Sequence, residues 1–137
     1  MWVCLNDAFF SIVDEKAKEK KRTGKEARPN DVLVVRARRK GELELVFEPH
    51  FVAAKRKLQV TESAATDYRY RLRVTRGMLK DVMAAEVDRV IYGNFKDSVA
   101  DNDLHHAYSQ IWQIMFRLQE PNPRRTYGPS LFGGKHA

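Results

Sequence analysis

Three arginines, Arg69, Arg71 and Arg73, alternate with Tyr68, Tyr70, Leu72 and Val74. Successive side chains of a strand point to opposite faces, so this spacing sets three guanidinium groups on one side and apolar side chains on the other. Arg36 and Arg38 repeat the pattern in VLVVRARRK at 32–40, where they share a face with Val32, Val34 and Lys40. If the two strands are neighbours, five guanidinium forks line one sheet surface. Such forks bind phosphate oxygens bidentately, which suits a nucleic-acid backbone. The plain alternative is a solvated face balanced by Glu42, Glu44 and Glu62, the commonest fate of alternating polar positions. Binders of single strands stack bases on aromatics that stand beside their basic residues. Here the alternation sends Tyr68 and Tyr70 to the opposite side, into the core, and no Gly-x-x-Gly loop is present.

Other chemistry-bearing residues are fewer. Lys96, in Asn94-Phe95-Lys96, is a further candidate contact to a polyanion, and Phe95 is expected to anchor the crossing between two helices. His105 and His106 lie near Asp101, Asp103 and Tyr108. Adjacent helical residues diverge by about 100°, so they form no i, i+4 metal clamp, and capping or solvent contact is the plainer reading. A hydrolase or nuclease using either histidine with a carboxylate is the third-ranked function. Cys4 sits between Val3 and Leu5, reads as a small buried hydrophobe, and as the one cysteine allows no intrachain disulfide. There is no nucleophile elbow, P-loop or dinucleotide fingerprint, and Gly133-Gly134-Lys135 has no strand before it. No catalytic residue, metal ligand or cofactor is assigned.

These residues need elements to position them. In residues 1–13, two short apolar runs flank Asn6-Asp7-Ala8, which predicts two strands joined by a tight turn. Segment 14–30 is crowded with Lys, Arg and Glu and reads as a mobile basic loop, since it cannot bury enough apolar area to order itself. A strand follows at 32–40, then a short helix with Leu43, Val46 and Phe47 on one face, ended by Pro49. Strands are expected at 57–62 and 68–74. A helix over about 77–91 carries Leu79, Val82, Met83, Glu86, Val87 and Val90. Another, over about 103–119, carries Leu104, Tyr108, Ile111, Trp112, Met115 and Leu118, with Asp101 or Asp103 as its cap. Residues 120–137 hold three of the five prolines and read as an irregular tail. The expectation is one α+β domain over 1–119. Its antiparallel-rich sheet has about four to five strands, with one short and two longer helices mainly on one face.

The chain has 137 residues, 43% hydrophobic and 31% charged, with a formal net charge of +7. That balance is globular, and its sign favours a nucleic acid, an acidic protein or an anionic surface as partner. No stretch approaches the about 18 apolar residues of a membrane span, and no signal peptide is visible, so a cytoplasmic setting is expected.

Five segments, MWVCLNDAFFSIV, VLVVRARRKGELELVF, TDYRYRLRV, IYGNFKDSV and HHAYSQIW, together resemble a family of small bacterial proteins with no assigned activity. The resemblance spans most of residues 1–119 and implies a bacterial or phage source and a compact cytosolic protein. It brings no catalytic residue or ligand. Segments 14–28 and 120–137 depart from the shorter family pattern. The leading reading is a non-enzymatic module that binds a polyanion such as nucleic acid. Next is a regulator or inhibitor working through its C-terminal helix, with a homodimer left open.

Overall fold

The computed structural model describes residues 1–120. They gather into two compact units, one over Met1–Gly93 and a second beginning at Asn94. The first unit is an α+β structure built on five antiparallel strands. These are β1 (Trp2–Cys4), β2 (Phe9–Asp14), β3 (Val32–Ala37), β4 (Thr61–Glu62) and β5 (Tyr70–Thr75), in the order β1-β2-β3-β5-β4. The turn read from Asn6-Asp7-Ala8 closes the β1–β2 hairpin, with the Leu5 amide donating to the Ala8 carbonyl at 2.8 Å. At the far end the Ile12 amide donates to the Met1 carbonyl at 2.8 Å, which ties Met1 to the sheet.

One sheet face is the core face. Phe10 and Ile12 from β2, Leu33, Val35 and Ala37 from β3, and Leu72 and Val74 from β5 are all buried there. Over them pack Leu43, Val46, Phe47 and Phe51 of α2 (Lys40–Ala53), and Leu79 and Val82 of α3 (Arg76–Asp88). Phe10 and Phe47 meet edge to face with ring centres 5.5 Å apart. Thr75 caps α3 by accepting from the Met78 amide at 3.2 Å.

Helix α2 corrects two expectations. It begins at Lys40, so the strand expected over 32–40 ends at Ala37, and it runs through Pro49 for 14 residues. A proline removes one i−4 hydrogen bond, here the one to Leu45. Leu45 is 57% exposed, so its carbonyl lies on the solvent side of the helix, where water can bond it. Burial of Phe51, two residues beyond Pro49 and one turn on from Phe47, continues the helix past the proline. The helix closes in a Schellman motif: the Arg56 amide donates to Phe51 and the Lys55 amide to Val52, with Lys55 at φ 55°.

Segment 14–30, expected as a loop, contains the helix α1 (Ala17–Thr23). No residue of α1 is buried, so apolar packing does not hold it. An ion-pair junction does: Lys20 Nζ lies 2.5 Å from both Asp14 Oδ2 and Asp31 Oδ2, and Arg76 Nη2 adds a 3.1 Å bond to Asp14. Hydrogen bonds from Lys20 hold both carboxyls below the usual aspartate range, and the two carboxylates raise the Lys20 ammonium. Gly24, at φ 65°, ends the helix in the left-handed conformation that glycine adopts at no steric cost. The strand expected over 57–62 shortens to Thr61–Glu62, and the one over 68–74 begins at Tyr70.

In the second unit, a 3-10 turn (Lys96–Ser98) precedes α4 (Asn102–Phe116), which Asp101 caps by accepting from the Leu104 amide at 2.8 Å. The Phe95 and Tyr108 rings meet at a tilt of 39° with centres 5.3 Å apart. The expected 120–137 tail lies, beyond Glu120, outside the described residues. Among the described residues no helix is long and apolar enough to cross a membrane.

Candidate functional site

The sheet face away from α2 and α3 is read from the strand register. Trp2 pairs with Ser11, Ser11 with Arg36, Arg36 with Arg71, and Arg71 with Thr61. Directly opposed residues project to the same side, so these five side chains form one row across all five strands. Phe9, two residues before Ser11, stands on the same side, as do Val34 and Arg73 in the next row. The arginines of β3 and β5 therefore do share a face, as their alternation predicts.

Their surroundings divide them. Arg69 bonds Glu62 at 2.6 Å, and Arg73 bonds Glu15 at 2.7 Å. In each case the carboxylate raises the guanidinium above its ordinary range. Arg36, Arg38 and Arg71 have no carboxylate partner among the described residues. Arg36 Nη2 donates to the buried Ser11 hydroxyl at 2.6 Å. Its guanidinium also lies 4.8 Å from the centre of the Tyr68 ring. Arg38, just past the end of β3, sits 4.3 Å from the same ring and 5.9 Å from that of Phe9. Arg71 is half-buried, and its Nε, like that of Arg36, is enclosed without a hydrogen-bond partner. Of the acids expected to balance this face, only Glu62 does so. Glu42 is buried behind the core, accepting from the Phe9 amide at 3.0 Å and pairing with Arg39, and Glu44 pairs with Lys40.

The aromatic content of the face differs from expectation. Tyr68 is buried, but it lies before β5 begins, so strand alternation does not govern it. The turn carries its ring against Arg36 and Arg38, outside the main core cluster. Tyr70 keeps its predicted place against the core. Two aromatics that the arginine pattern did not disclose, Trp2 and Phe9, join the face from the N-terminal hairpin. They meet edge to face at 5.9 Å, and Trp2 is 70% exposed. The signal for them lay in the alternation of Trp2 with Val3 and of Phe9 with Phe10, which acquires meaning only once the hairpin register is fixed.

Lys96 belongs to the second unit, where its Nζ lies 4.0 Å from the centre of the Trp112 ring. His106 Nε2 contacts Gln110 at 3.1 Å, and His105 is half-buried. Cys4 is exposed, not buried as its neighbours suggested, because β1 is an edge strand. Partial desolvation raises its thiol above the ordinary value. No three His, Cys, Asp or Glu side chains among the described residues are grouped to hold a metal. No family model, curated protein or solved structure matches the chain.

Proposed function

We propose that this chain is a non-enzymatic binding module whose arginine-bearing sheet face takes the phosphate backbone of a nucleic acid. One observation carries the reading: Arg36 and Arg71 stand directly opposite each other, and neither has a carboxylate partner among the described residues. Like charges directly opposed across two strands destabilise a sheet. A phosphate bridging the two guanidinium forks turns that repulsion into two charge-assisted contacts. Arg38, with its guanidinium 4.3 Å from the centre of the Tyr68 ring, extends the cationic row along the same face. The chain's excess of basic residues draws polyanions towards it from a distance. The reading carries with it a bacterial or phage cytoplasm, the setting that the family resemblance implies.

The test replaces Arg36, Arg38 and Arg71 together by Gln and follows binding of labelled oligonucleotides by fluorescence anisotropy across a salt series. Affinity is expected to fall, and the slope of log K against log salt to shrink by about two, at roughly 0.7 per single-strand phosphate contact. Unchanged circular dichroism verifies the fold. The double change Arg69→Gln, Arg73→Gln should do less, because those charges are already paired. Equal affinity and slope in the triple variant and the parent would refute the reading.

A further inference from the structure

We infer that the ligand of this face is single-stranded, with an unpaired base stacking on the indole of Trp2. This rests on the phosphate-binding reading above and adds the class of strand. A tryptophan buries much apolar area when it can, yet Trp2 is 70% exposed on a strand. The edge-to-face contact with Phe9, with the planes at 67°, orients the indole, and its 70% exposure leaves surface for a partner. Trp2 also belongs to the cross-strand row that contains Arg36 and Arg71. Arg36 lies two strands away, about 10 Å at the usual strand spacing. One or two nucleotides bridge such a distance between a stacked base and a phosphate. A duplex offers phosphates to the arginines but keeps its base faces inside its own stack. Only an unpaired strand uses both parts of the row, as in binders that combine aromatic platforms with basic grooves.

The experiment uses the full chain carrying Trp112→Phe, which leaves Trp2 as the sole indole. Short oligothymidylate and oligouridylate, a duplex of equal length and inorganic polyphosphate are each titrated while tryptophan fluorescence and anisotropy are recorded. Quenching by either single strand, with the duplex binding roughly tenfold more weakly and without quenching, supports the inference. Polyphosphate should compete for the arginines without quenching. Trp2→Ala should weaken single-strand binding roughly tenfold, at about 1–3 kcal/mol per stacked base, and Trp2→Phe should restore most of it. If the duplex binds as tightly as the single strand, or if Trp2→Ala changes nothing, the inference fails while the phosphate-binding reading stands. If no polyanion binds, both fail.

Discussion

Glu42 shows how far a single residue can escape a sequence pattern. In sequence it reads as an acid that balances the arginine face, and its position in the first turn of α2 suits a helix N-terminus. In the fold it is 7% exposed, and its Oε1 accepts the Phe9 amide from across the core at 3.0 Å. Truncation by Glu42→Ala leaves that amide without its acceptor and should cost about 1–3 kcal/mol in urea denaturation. Glu42→Gln keeps an acceptor oxygen and should cost less; equal losses would show that the Arg39 ion pair matters more than the amide. Among the candidate site residues, Arg36, Arg71 and Arg73 were legible because strict alternation fixes their side of a strand. Tyr68 was not, because alternation ends where the strand does. Trp2 and Phe9 needed the register between two strands, which is a tertiary property. Phe95 packs on Tyr108 but is only half-buried. Phe95→Ala should therefore cost about 2 kcal/mol in thermal or chemical unfolding, below the about 3–5 kcal/mol of a fully buried phenylalanine.

At the scale of elements, long apolar periodicity translated well and charged segments did not. The stripes that predict α3 and α4 became helices, because burial of Leu79 and Val82, or of Leu104 and Tyr108, rewards helical geometry. Segment 14–30 has no such stripe, and α1 depends on charges that are far apart in sequence until β2 and β3 pair. That dependence fixes its response to pH. Asp14 and Asp31 titrate below their unfolded values, so the stability they contribute is complete above about pH 4 and is lost as pH falls through their folded values. Lys20 titrates above its unfolded value, so its contribution holds at neutral pH and is lost only in strong alkali. Hydrogen exchange should show α1 opening before the sheet on acidification. Lys20→Met should open it at neutral pH, seen as faster tryptic cleavage at the remaining basic residues of the segment. Simultaneous opening of α1 and sheet would contradict this anchoring. The C-terminus of α2 gives a prediction of opposite sign. Lys55 holds the left-handed position of a Schellman motif, so Lys55→Gly should stabilise the protein by about 0.5–1 kcal/mol, read as a raised denaturation midpoint.

For the molecule as a whole, the number of phosphates met, not the net charge of +7, would set how the proposed binding responds to salt. With only Arg36, Arg38 and Arg71 meeting phosphates, affinity for a single strand should fall roughly twentyfold between about 50 and about 200 mM salt. A fall beyond about a hundredfold would mean that Arg69 and Arg73 exchange Glu62 and Glu15 for the ligand. The overall α+β architecture was legible in the order of the elements, whereas the extent of α2 was settled by packing across the core. The sheet is bounded by strands of three and two residues, β1 and β4. A protein that gathers on a polymer brings many copies close together, the condition under which exposed strand edges join and aggregates grow. Edges this short offer few free backbone groups to another chain. Crowding along one strand, which the proposed binding would bring about, is thus compatible with each copy keeping its own sheet.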